Sequence, residues 1–361
     1  MRYHNIALDN HSGVAVGSRL FSIASFNTYR PTDPGYPRGV QAKDVLYIAA
    51  FVACLTPWMS PPLALLLGIA MALFNLSRFG PESKKVSRYL IQACVVLLGL
   101  RIDLHQLVRE ASRGLIFAAA TIVGAFILGF ALNRILRTGK ELTLLVSSGT
   151  AICGGSAIAA MGSAIGASAS AMAVATGAIF ILNAVALYAF PAIGHWLHMT
   201  DTQFGVWAGV AIHDMSSVVG AGSSYHAADP TSSAALDTAN IVKLSRVIWI
   251  LPCTLFGAWM MPREGAKTQS IASRLTSLVP PFIILFLVAS ALRTFIPEIG
   301  AWQDRIRTFT TLGFAGGLFL IGAGLSKQAV RSVGWRVLVQ AIITWVALAA
   351  ASLAVVMKVQ S

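Results

Sequence analysis

Charge is what this chain has least of. Lys, Arg, Asp and Glu make up 11% of its 361 residues, against roughly 25% in soluble domains. A water-soluble fold of this length needs a polar skin, and so few charges cannot supply one. A soluble enzyme is therefore excluded, and so is a disordered or fibrous chain. Acidic residues are the scarcer sign, 14 against 27 basic ones. The basic excess does not point to nucleic acid, because the Lys and Arg residues fall at the ends of apolar runs, where they act as topology signals. Cys54, Cys94, Cys153 and Cys253 are the only cysteines; none has CxxC spacing, so they are expected to pack as small hydrophobes. The seven histidines are scattered and only His213 lies deep in an apolar run, so neither a metal nor any other cofactor is expected. No Walker A motif is present, which removes ATP as a direct energy source. No apolar core precedes a small-residue cleavage site near the N-terminus, so a secretory signal peptide is not expected.

What is present is apolar sequence. AVILMFWYC account for 56% of the chain, and a bilayer core about 30 Å thick needs roughly 20 such residues per helix. Eleven candidate spans follow: 44–59, 61–77, 87–100, 114–133, 142–165, 169–190, 204–224, 236–260, 276–296, 306–326 and 336–357. With the N-terminus inside, eighteen Lys and Arg fall on the cytoplasmic side and seven on the outer side, which predicts an N-in, C-out topology. Residues 1–43 carry Arg2, Arg19, Arg30, Arg38, Lys43 and three prolines. They are expected to form a flexible cytoplasmic tail, with a short interfacial helix near Leu20–Phe26. Residues 44–358 are then one all-α polytopic transmembrane domain.

Two spans break the apolar rule. The fifth contains Gly149-Thr150-Ala151-Ile152-Cys153-Gly154-Gly155-Ser156. Two adjacent glycines cost about 2 kcal/mol of helix propensity, so this predicts an interrupted helix whose second half starts near Ser156. Its unpaired N–H groups and positive dipole end would lie at mid-membrane, suited to an anion. The seventh contains Gly209-Val210-Ala211-Ile212-His213-Asp214-Met215-Ser216-Ser217. Gly, Ala and Ile recur sixty positions after the fifth span, and Ser216 falls where Ser156 does. A carboxylate such as Asp214, about 15 Å into a span, is a functional-site hypothesis by default. On a continuous helix His213, Ser216 and Ser217 would share its face.

The eighth span supplies countercharge with Asn240, Lys243 and Arg246. Arg246 lies at the depth of Asp214, so the two are expected to meet near the midplane. Two cations against one carboxylate leave a net positive site, which favours an anionic substrate. His213 and Asp214 remain free to carry a proton. The tenth span has Gly313, Gly316, Gly317, Gly322 and Gly324, which allows a second interruption or close packing against the fifth span.

The runs at 149–160, 212–219 and Lys243–Val247 resemble those of the bacterial sulfate exporter family, within the broad group of cation:proton antiporter and bile-acid-type carriers. The likeness spans about residues 45–357. It implies two inverted five-helix repeats, spans 2–6 and 7–11, with spans 5 and 10 interrupted, in a multi-pass protein of the bacterial inner membrane.

The expected function is secondary active transport, in the export direction and coupled to protons, of a small anion such as sulfate or an organic sulfonate or carboxylate. Thr150, Gly154, Gly155, Ser156, Ser216, Ser217, Asn240, Lys243 and Arg246 are the expected substrate contacts, and His213 and Asp214 the proton-coupling pair. The expected partners are the anion, H⁺ and the lipid bilayer, with a homodimer left open. Two alternatives stay in view: an anion channel, and an intramembrane serine hydrolase using Ser156 and His213.

Overall fold

A computed structural model describes residues 42–56, 58–74, 76, 80–229, 232–261, 281–324 and 333–359. The tail segment 1–41, including the interfacial helix expected near Leu20–Phe26, lies outside the described residues. Among the described residues the only regular structure is helical. The order is α1 (Ala42–Cys54), α2 (Pro61–Leu73), α3 (Gly80–Gly99), α4 (Leu104–Leu136), α5 (Lys140–Ala151), α6 (Gly155–Ile165) and α7 (Ala169–Trp196). Then come α8 (Asp201–Ala211), α9 (Met215–Ser224), α10 (Ala234–Val247), α11 (Ile250–Met260), α12 (Pro281–Phe295), a 3₁₀ turn (Pro297–Trp302), α13 (Gln303–Ala323) and α14 (Trp335–Val359).

Each candidate span coincides with one helix or a helix pair. Five helical stretches are long and apolar enough to cross a bilayer: Gly114–Leu136, Ala169–Trp196, Ala234–Met260, Pro297–Ala323 and Trp335–Lys358. Large apolar side chains such as Ile116, Ile127, Trp196, Trp259 and Phe295 point out of the protein, as a hydrocarbon solvent requires. The chain is a multi-pass membrane protein.

Local chemistry sets the helix ends. Asp103 starts α4 by accepting the N–H groups of His105 and Gln106, and Thr200 and Gln203 close a capping box on α8, each satisfying donors that the first helical turn leaves free. The α10–α11 junction falls at Ile248–Trp249. Pro252 has no N–H to return to the Ile248 carbonyl, so one helical hydrogen bond is missing at that junction.

The tenth span corrects the expectation of a second glycine-driven break. α13 runs without interruption from Gln303 to Ala323, and it packs on α2 and α3 rather than on the fifth span. A Cβ at Gly322 would fall 2.5 Å from the Leu65 carbonyl oxygen, and one at Gly68 on α2 would collide with the Phe319 carbonyl. A Cβ at Gly317 would come within 2.7 Å of Ile91 on α3. These glycines bring backbones together. Tyr47, Met71 and Phe319 form the buried cluster beside that contact. The largest cluster, including Leu144, Ile158, Ile179 and Leu187, surrounds the two helices that do break.

Candidate functional site

The fifth span breaks as expected. α5 stops at Ala151, Ile152 leaves helical geometry with ψ −87°, and Gly154 has φ +57° and ψ −120°. Only glycine adopts that backbone without strain, so the Gly154 position enforces the break. α6 then starts at Gly155, one residue before the expected start. Ser156 is not its cap: its hydroxyl lies 3.2 Å from the Cys153 carbonyl oxygen and 2.7 Å from Cys153 Sγ. Cys153 is accordingly half-buried, whereas Cys54, Cys94 and Cys253 are buried thiols.

The seventh span breaks too. α8 ends at Ala211, Ile212 is extended, and Asp214 opens α9 as its N-cap. His213 therefore sits in the break and not on one helix face with Ser216 and Ser217, which corrects the sequence reading. α5 and α8 end at Ala151 and Ala211, each followed by isoleucine, so the sixty-residue match marks two equivalent helix ends. The breaks also touch: a Cβ on Gly154 would lie 3.6 Å from both Asp214 Cβ and the His213 carbonyl oxygen.

Each break leaves one carbonyl end and one N–H end within a membrane-spanning stretch, where protein or a water-filled cavity must satisfy them; Gly155 is half-buried and Ser156 exposed. Side chains close three of the four. At the carbonyl end of α5, Lys243 Nζ donates to the Ile152 oxygen at 3.1 Å, and Arg246 donates through Nε and Nη2 to the Ala151 oxygen. Arg246 Nη1 reaches Thr121 Oγ1 on α4 at 2.9 Å. At the carbonyl end of α8, Trp345 Nε1 donates to the Ala211 oxygen at 3.0 Å. At the N–H end of α9, the Asp214 carboxylate accepts from the Ser217 N–H and the Ser216 hydroxyl, both at 2.8 Å. At the N–H end of α6, Gly154 offers no side chain and Cys153 Sγ faces the Ala157 N–H, but the Gly155 and Ser156 N–H groups have no side-chain acceptor among the described residues, and a Cβ on Gly155 would meet nothing within 4 Å.

Asp214 and Arg246 do not pair, which corrects the expected midplane contact. Each is drawn to the helix end of opposite dipole: the carboxylate to donors, the guanidinium to carbonyls. The four partial end charges cancel, leaving Lys243, Arg246 and Asp214 with a net positive charge. Lys243 and Arg246 are 1% and 0% exposed.

His213 is fully buried, and both its backbone N–H and its Nδ1 lie 3.1 Å from Asn183 Oδ1 on α7. That oxygen accepts the backbone proton, so Nδ1 must carry the ring N–H of the neutral imidazole, and the lone pair falls on Nε2. Nε2 is buried without a protein partner, as are Thr150 Oγ1 and both amide atoms of Asn240. Ser156 and His213 make no hydrogen bond to each other; each is engaged elsewhere. No group of three His, Cys, Asp or Glu side chains gathers to hold a metal among the described residues.

The sequence reading missed Thr121, Asn183 and Trp345. Asn183 was legible in principle as a lone amide inside an apolar span. Thr121 and Trp345 carry no signal apart from the partners that the fold brings to them.

The family described as Conserved hypothetical protein 698 matches residues 45–341. A UPF0324 membrane protein of Porphyromonas gingivalis is 40% identical over 84% of this chain and 89% of its own length. One from Geobacter sulfurreducens is 38% identical over 83% and 92%, and one from Shewanella oneidensis 36% identical over 89% and 98%. No solved structure matches the chain. The match over most of the membrane region, with relatives covered nearly end to end, places this chain in the Conserved hypothetical protein 698 family of UPF0324 membrane proteins.

Proposed function

We propose that the protein is a secondary active transporter of a small anion, sulfate or an organic sulfonate or carboxylate, acting by alternating access as an exporter in the bacterial inner membrane. One observation carries the reading: of the four helix ends at the two breaks, only the anion-attracting N-terminus of α6 leaves its first two N–H groups without a side-chain acceptor, and open space lies against Gly155. A discontinuous helix presenting such an end is a recurrent carrier device. An anion there is held by the N–H groups of Gly155 and Ser156, with Lys243 and Arg246, at the carbonyl end of α5, supplying the positive field. Thr150 and Asn240 are unpartnered polar groups on the helices that carry this centre.

The proton is assigned to His213 Nε2 in preference to Asp214. Both Asp214 oxygens are already engaged as acceptors at the start of α9, whereas Nε2 offers an unused lone pair. Eleven crossings with the N-terminus inside rest on the distribution of Lys and Arg. The sixty-residue offset between the breaks supports an internal pseudo-symmetry, in place of the repeat that would interrupt spans 5 and 10.

The test is saturable uptake in liposomes. Sulfate, alkanesulfonates and carboxylates are screened for a rise in melting temperature, then for flux driven by an imposed pH gradient. Saturable flux that responds to the gradient, and loses that response in His213→Gln, is expected. Unsaturable conductance would replace the carrier with a channel, and no anion-dependent shift or flux would overturn the reading.

A further inference from the structure

A groove on the other side of α4 has the shape and charge of a lipid site. It encloses about 960 Å³ between α4 and α11 and is lined by α4 from Ala119 to Arg134, by Lys140 at the start of α5, and by Trp249 to Met260. Fifteen residues of helix make it roughly 22 Å long, more than one leaflet of a hydrocarbon core about 30 Å thick. Both walls belong to membrane-spanning stretches.

The groove is polar only at one end. Its body is apolar, with Phe256 edge-on to Phe126 at 5.7 Å and to Phe130 at 6.5 Å between centroids. Arg134, Lys140 and Asn133 gather at the end where α4 finishes and α5 begins. No carboxylate lines the groove, and neither cation has an ion pair among the described residues. Asn133 Oδ1 already accepts from the Gly139 N–H at 2.8 Å and the Thr138 hydroxyl at 3.1 Å, which leaves its amide N–H₂ as the available group. Every polar group offered to a ligand is therefore a donor or a cation.

We infer that this groove binds one anionic phospholipid, its phosphate between Arg134, Lys140 and the Asn133 amide and its acyl chains along Phe130, Phe126 and Ile122. Charge complementarity selects this occupant. A free inorganic anion would leave the apolar body empty, and a zwitterionic lipid would bring its own amine to a site holding two cations. The acyl chains end beside the turn of α4 that carries Thr121, the acceptor of Arg246, so the lipid backs the wall that positions the charged centre. The site does not depend on the transport reading.

Native mass spectrometry of the full-length protein, stripped of lipid and titrated with phosphatidylglycerol or phosphatidylcholine, tests it. Retention of phosphatidylglycerol over phosphatidylcholine is expected. Arg134→Gln with Lys140→Gln should weaken that retention roughly twenty-fivefold, at about fivefold per cation. Both side chains are exposed, so the variant is expected to fold. Arg336→Gln, a basic residue outside the groove, should retain lipid as the parent does. Ala119→Phe, which shortens the apolar end, should lower retention of long-chain lipid while sparing a short-chain analogue. Equal retention of the two headgroups, or full retention by the double variant, would overturn the proposal. So would efficient disulfide cross-linking of Ile127→Cys between two copies in lipid-free protein, which would make the groove a protein–protein interface.

Discussion

The fifth and tenth spans are both rich in glycine, yet one breaks and the other does not. In α13, Gly313, Gly316, Gly317 and Gly322 keep ordinary helical geometry, and a Cβ at each would strike, in turn, Cys94, Leu55, Ile91 and the Leu65 carbonyl oxygen. At the α5–α6 junction, Gly154 has positive φ and Gly155 faces open space. The first set removes side chains so that helices can approach; the second removes them so that the backbone can turn and its N–H groups can be reached. The seventh span adds a third case, a break with no glycine at all, made by extended residues and the Asp214 cap. Glycine density alone therefore does not identify a broken helix. What separates the fifth span from the tenth is backbone conformation: Gly154 has positive φ, and no glycine of α13 does.

Substitutions at these positions sharpen the comparison. The largest effect is expected for Gly322→Val, because its Cβ would meet two backbone atoms, the Leu65 oxygen at 2.5 Å and the Ile69 nitrogen at 2.8 Å. Neither can move aside, so the loss should be about 3 kcal/mol or more. Detergent melting curves and size-exclusion profiles would show it, and a parent-like profile would refute the close-packing role.

Gly154→Ala comes next. Its Cβ would press on Ile179 Cγ2 at 3.3 Å, a contact that a small side-chain shift relieves, but the backbone conformation costs roughly 1–3 kcal/mol for an L residue. A lower melting temperature and an anion affinity reduced at least tenfold are expected together. An unchanged affinity would detach the break from binding.

Asp214 separates cap from charge. Asp214→Ala should cost about 1 kcal/mol, whereas Asp214→Asn, an equally good cap, should stay within a few tenths. Asp214→Asn should also keep the pH response of transport if His213 carries the proton; loss of that response would return the proton to Asp214.

Gly155→Leu should likewise change stability little, within about 0.5 kcal/mol, because its side chain enters open space at the first helical position. Anion-dependent stabilisation should nonetheless vanish. Full binding by this variant would remove α6's N-terminus as the anion site.

Much of this was legible before any fold was known. Membrane residence follows from composition, because the chain has too few charges to face water. The candidate spans follow from apolar run length, and the fifth-span break from Gly154-Gly155, whose backbone preference is local. Asp214, Lys243 and Arg246 stand out because buried charge is costly wherever it occurs. None of these inferences needs a partner residue.

Partners are what the tertiary structure decided. Asp214 and Arg246 look like an ion pair by depth alone, but each instead closes a helix end, since backbone dipoles exist as partners only once both helices have broken. The break at His213 has no punctuating glycine or proline, and it persists because Asn183 on α7 and Trp345 on α14 satisfy the groups that it frees. α13 stays intact because α2 and α3 fill the space beside its glycines. Local sequence set backbone preference and the cost of burial; only three-dimensional packing decided which donor met which acceptor, and of the four ends at the two breaks it left that of α6 open.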